Sequence, residues 1–385
     1  MVRLVTAATA AAIAVGCSTI ATLPPDAGTA SLGVVIERAD GAVTVIDFWR
    51  EQVLGRIDGL GDLSHASVVF SPDARYAYVF GRDGGLTKLD LVARKIAART
   101  MQSGNSIGGA ISCDGHIIAV SNYKPGGVRF FRASDLAPLG RHDAGRTVGL
   151  VDAAPCRFVA SDMDNGAIWE FDALANPVSR PVRIWDNVGR MPYDGLVTPD
   201  GNDYFAGLFG ENGVAHIDLR TGRMEKVLLD YGRGDVKLPV YKMPHLEGWA
   251  VAGSRLYLPG VGRHDVLVVD RNGWRQMAAI PVTGQPVFVM ARPDGRQLWV
   301  NFAPPDNHLV QVIDTATNEV IDTLDFDSAV LHMEFAPRGQ RVWLSLRDAD
   351  AVVVLDTRTR QQVQRFAVAH PSGIFFADRA HRIGL

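Results

Sequence analysis

Cysteine is scarce in this chain: Cys17, Cys113 and Cys156 are the 3 in 385 residues. None stands in a Cys-x-x-Cys-His run, which excludes a covalently attached c-type haem, and no pair has the spacing of a two-cysteine metal site. Charge excess is missing too. A formal net charge of −3 leaves no electrostatic footprint for nucleic acid or for a basic membrane-binding surface. Long apolar runs are confined to residues 4–15, too short to span a bilayer. No long helix is expected.

What the chain has is a repeat. An apolar run closed by an acidic residue recurs at Val45-Ile46-Asp47, Lys88-Leu89-Asp90, Phe171-Asp172, His216-Ile217-Asp218, Val268-Val269-Asp270, Val312-Ile313-Asp314 and Val354-Leu355-Asp356. Arg132, after Phe130-Phe131, fills the slot between Asp90 and Asp172. The period is about 44 residues, within the range of β-propeller blades. Between the anchors lie Pro-Asp and Asp-Gly turns such as Ser71-Pro72-Asp73, Thr198-Pro199-Asp200-Gly201 and Arg292-Pro293-Asp294-Gly295, and hairpin pairs such as Asn165-Gly166. Pro presets φ early in such a turn, and Gly supplies positive φ late in it. Blades cannot bury their faces alone, so one ring is expected rather than several domains. The spacing predicts an all-β, eight-bladed propeller. Strands from both ends of the chain would share a blade and remove the exposed edges. Seven blades is the alternative, should the slot at Arg132 be no true repeat. The longest interruption, residues 230–244, reads as a loop over one mouth of the funnel.

The N-terminus reads as an export signal. Arg3 precedes the apolar run, and Gly16 precedes Cys17. Small residues before a cysteine, after a short apolar stretch, point to a bacterial lipoprotein, with an ordinary secretory signal as the alternative. The expected division is residues 1–16 as signal peptide, 17–32 as lipidated Cys17 and tether, and 33–385 as the propeller. The expected location is periplasmic, on a membrane through the lipid. Cys113 and Cys156 sit at similar places in adjacent repeats. In an oxidising compartment they can pair, and the sequence leaves that open.

The segments Ser64-His65-Ala66-Ser67, Arg75-Tyr76, Val79-Phe80-Gly81-Arg82-Asp83-Gly84-Gly85 and Leu89-Asp90-Leu91 resemble the haem d1 domain of cytochrome cd1 nitrite reductase. They are closer still to exported relatives of that domain that serve haem d1 biosynthesis, as is the tail His370-Pro371-Ser372-Gly373-Ile374-Phe375-Phe376. The resemblance runs from about Gly33 to the C-terminus. It implies an eight-bladed propeller holding haem d1 or a precursor non-covalently in its funnel. It also implies His65 as the iron ligand and Arg82 and Arg146 as contacts to peripheral carboxylates. Arginine forks suit carboxylates and keep their charge on partial burial. His245, within Met243-Pro244-His245, resembles a Pro-His segment of that domain.

Departures from the reductase matter equally. Its distal histidines fall here near Pro259-Gly260 and at Arg292, and its haem c domain has no counterpart. Without the acid pair there is no ready proton source for N–O cleavage, so nitrite reduction is not expected. Asn122, Tyr123, Tyr193 and Asp194 fall where funnel-facing side chains are expected. The first two are read as cofactor contacts. Tyr193 and Asp194 join Arg292 and His245 as reacting-side candidates. Arg292 reads equally well as a turn residue facing solvent, and His332 is a weaker candidate. Two functions remain open on the same residues. One is a late haem d1 biosynthetic step that alters the tetrapyrrole. The other is carriage of the cofactor, unaltered, to nitrite reductase, with other biosynthetic proteins as further partners. A generic scaffold or a propeller hydrolase is the bland reading. The latter needs clustered funnel carboxylates, whereas the repeating Asp residues end strands.

Overall fold

A computed structural model describes residues 28–232, 248–260 and 262–382. The signal segment, Cys17 and His245 lie outside the described residues. Among the described residues, thirty-two strands form eight four-stranded antiparallel sheets. Blades 2 to 8 occupy residues 67–101, 105–142, 147–185, 192–227, 250–281, 286–325 and 330–367. Blade 1 is composite. Its strands Leu32–Glu37, Ala42–Asp47 and Gln52–Ile57 are completed by Pro371–Phe376 from the other end of the chain. Gly33 pairs with Phe376 and Val34 with Phe375. Strand 371–376 thereby takes the innermost place, and the ring closes with no unpaired inner edge. The helices described are 3-10 turns of three to five residues, and none is long and apolar enough to cross a membrane.

The recurring acidic residue is the last residue of each third strand. Its job is local. Asp218 Oδ1 accepts the amide hydrogens of Arg220 and Thr221, and Asp356 Oδ1 those of Arg358 and Thr359. Asp47, Asp90, Asp172, Asp270 and Asp314 do the same for the turns that follow them. A short side chain that bonds its own backbone two or three residues on fixes the turn into the outermost strand. Arg132 also ends a third strand, Gly126–Arg132. There the turn is capped by Asp135, which accepts from Ala137 and pairs with Arg132. The slot is a true repeat, and the seven-blade alternative falls.

Eight apolar clusters fill the eight contacts between neighbouring blades. Closure is packed like the rest. Phe376 and Phe48 of blade 1 stack with centroids 4.4 Å apart, against Trp343 of blade 8. Cys113 and Cys156 form a disulfide with Cα atoms 5.3 Å apart, joining the inner turns of blades 3 and 4.

Candidate functional site

At the end where each innermost strand begins, the funnel opens as a cavity of about 400 Å³. On the side of blades 2 to 4 its wall carries the small residues Ser67, Gly108, Ser121 and Gly149, with Leu63, His65 and Leu150. Blades 7, 8 and 1 contribute apolar bulk from Phe288, Leu331 and Phe375. Small residues facing aromatic ones suit a planar ligand whose faces are apolar.

β-Bulges aim the lining. The innermost strands of blades 3, 4, 5, 7, 8 and 1 all shift register at cavity level, at Ser106/Gly108, Val148/Val151, Tyr193/Leu196, Pro286/Phe288, Val330/Met333 and opposite Val35/Glu37. An extra residue in one strand interrupts the ladder and turns a side chain out of the alternation. Gly149, Asp194, Val287, Leu331, His332, Ser372 and Gly373 reach the cavity from these positions.

His65 lines the cavity from the connection into blade 2. That connection is braced on both sides of Ser64. The Ser64 amide donates to Asp62 Oδ1 at 2.8 Å, and Arg38 Nη2 donates to the Ser64 carbonyl at 2.6 Å. The Ser64 hydroxyl and amide hold the Asp62 carboxyl below its ordinary value. Beside His65, the buried Ser67 hydroxyl oxygen has no hydrogen-bond partner among the described residues. Such an orphan inside a cavity fits a ligand with a polar edge.

Arg38 and Arg347 also stand in the wall. Burial and the neighbouring Arg347 charge both work against the positive charge of Arg38. Arg347 is neutralised by Asp348 at 2.6 Å. Arg38 has no ion-paired carboxylate among the described residues and keeps guanidinium hydrogens to offer. Each follows directly on the second strand of its blade, Leu32–Glu37 or Arg341–Leu346, and Arg82 comes two residues after Tyr76–Phe80. Blades 8, 1 and 2 therefore carry arginine at matching turns on the cavity side.

Five residues singled out in the sequence meet beside the cavity. The Arg82 guanidinium lies 5.9 Å from the ring centre of Tyr123. The Tyr123 and Tyr193 phenols act on one another, and the charges of Arg82 and Asp194 act on both. Arg146 acts on Tyr123 and is held by Asp164 at 2.6 Å. Burial raises both tyrosines above the ordinary phenol value, and the Asp194 carboxylate adds to it. Both phenols thus stay protonated at neutral pH and serve as donors rather than bases. Of the five, Asp194 is the one in the cavity wall.

Two expectations need correction. Arg292 does not reach this cavity. It sits past the far end of its innermost strand, Pro286–Ala291, forks onto Asp294 at 2.8 and 2.7 Å, and lines a separate recess with Glu334 and Arg382. The Pro-Asp-Gly turn demands that place, so the turn reading of Arg292 is the one the geometry supports. Asn122 is fully buried, exchanges amide hydrogen bonds with Gln102 at 2.8 and 3.2 Å, and accepts from Ser103 at 2.6 Å. Its amide is consumed in joining blade 2 to blade 3. His332 is better placed than its sequence indicated. It is buried in the cavity wall, and its Nδ1 accepts the Ile374 amide hydrogen at 3.2 Å. Arg38 and Arg347 were missed. Aligning the turns after the second strands of neighbouring repeats was the signal that could have found them.

Comparison with known proteins agrees with this chemistry. Residues 27–380 match the family described as Cytochrome D1 heme domain. The chain is 54% identical over 381 residues to Protein NirF of Pseudomonas aeruginosa, covering 96% of each. It is 53% identical over 384 residues to Protein NirF of Stutzerimonas stutzeri, covering 97% of this chain and 98% of that one. Among solved structures it is similar to the dihydro-heme d1 dehydrogenase NirN in complex with DHE. The TM-score is 0.79 at 26% identity, over 93% of this chain and 78% of that one.

Proposed function

The chain belongs to the Cytochrome D1 heme domain family, and from that premise we propose that its funnel binds haem d1 or a late precursor non-covalently, in a late step of haem d1 biosynthesis. The carrying observation is the cavity wall itself. It joins two imidazoles, His65 and His332, to the Arg38 guanidinium, a partnerless Ser67 hydroxyl and small residues. That donor set fits an iron tetrapyrrole with peripheral carboxylates. His65 would ligate the iron, and Arg38, Arg82, Arg146 and Arg347 would take carboxylates. When bound, the group would supply a conjugated, redox-active macrocycle. The protein's share is to orient it, exclude water from its faces, and hold protons at the Tyr123 and Tyr193 hydroxyls.

The two phenols beside the cavity, reached through Asp194 in its wall, favour a modifying step over carriage alone, because holding the ligand needs only the imidazoles and the arginines. In this reading the protein is exported, lipidated at Cys17 and periplasmic, with nitrite reductase as the eventual recipient of the cofactor. The Cys113–Cys156 disulfide supports an oxidising compartment.

The test is a visible-spectrum titration with haem d1. Wild-type protein is expected to give a saturable change that His65→Ala loses or strongly alters. No change with wild type, or the same ligation spectrum from the variant, overturns the assignment. Product analysis after a single turnover with precursor then separates modification from carriage. Ligand recovered unaltered under both oxidising and reducing conditions returns the carrier reading.

A further inference from the structure

Among the described residues, Gly108, Gly149 and Gly373 are the glycines that line the cavity. The fold demands two of them. Gly149 has φ of 57°, and a Cβ there would lie 2.5 Å from the Asp194 carbonyl carbon. A Cβ at Gly373 would lie 2.4 Å from a ring carbon of Phe375. Gly108 is different. Its φ lies outside the left-handed region. Beyond its chain neighbours, an added Cβ would meet one described atom within 4 Å, the Ser67 hydroxyl oxygen at 3.3 Å. That atom is the far end of a side chain that can turn between rotamers. Alanine would suit this backbone and spare the entropy that glycine costs. Glycine here keeps space open in the cavity, and the fold does not require it.

The space has a polar donor at its edge. Ser67 Oγ is buried and has no hydrogen-bond partner among the described residues. Ser121 pairs with Gly108 across the blade and donates its own hydroxyl to the Gly108 carbonyl at 3.1 Å. Its hydrogen is thus occupied at the register shift between Ser106 and Gly108. The niche formed by Ser67, Gly108 and Ser121 therefore offers one hydroxyl hydrogen, and none of the three residues carries a charge. A carboxylate set there would exchange its water for a single neutral donor, which is costly. An uncharged carbonyl oxygen would give Ser67 its missing partner at little cost.

We propose that the niche at Gly108 and Ser67 is a specificity site for a carbonyl oxygen on the rim of the macrocycle, with Ser67 as its hydrogen-bond donor. This rests on the tetrapyrrole reading above and adds the chemical group that the ligand carries beside blades 2 and 3. The arginines select for peripheral carboxylates. This niche selects for an oxygen on the ring itself. A macrocycle without that oxygen leaves the buried hydroxyl unpaired, and such a loss is a strong basis for rejection. A side chain in place of the Gly108 hydrogen would shut out a macrocycle that has it.

Two macrocycles test this. Haem d1 carries carbonyl oxygens on its ring, and iron protoporphyrin IX has none. Affinities of both are measured by visible titration for wild type, Ser67→Ala, Gly108→Ala and the double variant, and thermal unfolding checks each fold. Ser67→Ala is expected to weaken haem d1 by about fivefold to tenfold, and to leave protoporphyrin within about twofold. Gly108→Ala is expected to melt with wild type and to lose haem d1 affinity by about tenfold or more. In the Gly108→Ala background, Ser67→Ala should cost nothing further, because both act on one ligand group. Wild-type haem d1 affinity in Gly108→Ala, additive losses in the double variant, or an equal Ser67→Ala loss for both macrocycles overturns this inference alone. Failure of wild type to bind haem d1 overturns the underlying reading as well.

Discussion

Arg38 shows how one side chain can serve both fold and site. One of its guanidinium nitrogens bonds the Ser64 carbonyl and so braces the loop that carries His65, while the residue stands in the cavity wall. Arg38→Ala is therefore expected to weaken haem d1 binding by roughly 10–100-fold, the scale of a lost charge-assisted contact. Arg38→Lys should recover only part of it, since a compact ammonium lacks the planar, two-sided guanidinium that reaches a backbone carbonyl and a carboxylate on opposite edges. Visible titration reads both. Wild-type affinity in Arg38→Ala would remove the residue from the site.

At the scale of elements, the third strand and its aspartate form the repeating unit. Backbone amide hydrogens are the leading cause that holds Asp172, Asp218 and Asp356 below the ordinary carboxylate value, with Leu174, Thr221 and Thr359 as the respective donors. A depressed folded-state value means that the folded state releases its proton more readily than the unfolded chain. These turns therefore contribute their full stability above the unfolded carboxylate value. They lose it progressively as pH falls through the lowered folded values. Urea midpoints are expected to hold near neutrality and drop below about pH 4, the ordinary carboxylate range. Asp356→Ala should cost about 1–2 kcal/mol at pH 7 and progressively less in acid. An equal deficit at pH 7 and pH 3 would show that the carboxylate is not the source.

On the scale of the molecule, stability depends on closure. Blade 1 borrows its inner strand from the far end of the chain, and Phe376 is the fully buried side chain that seals blade 1 against blade 8. Phe376→Ala is expected to cost about 3–5 kcal/mol in urea unfolding, the range for a buried phenylalanine. Because blades stack into one ring, the loss should lower the whole transition instead of splitting off blade 1. A variant that melts at the wild-type midpoint would mean the terminal strand is not needed for closure.

Legibility followed the range of the interactions. The eight blades, the slot at Arg132 and the terminal closing strand could be read in advance, because they rest on turn chemistry and strand alternation within a few residues. His65, Arg82, Tyr123, Arg146, Tyr193 and Asp194 could be singled out individually. Their meeting could not, because Tyr123 and Tyr193 touch across blades that are far apart in the chain. Arg292 and Asn122 were misplaced because residue type does not tell which end of a strand, or which neighbouring amide, a side chain will find. The chain by itself determined a closed all-β ring, through a period that only short hairpins can satisfy. Only the tertiary structure decided which side chains face the funnel. The bulges that aim them, the pairing of Cys113 with Cys156, and the placing of Asp194 in one wall with Arg38 all arise from contacts between blades.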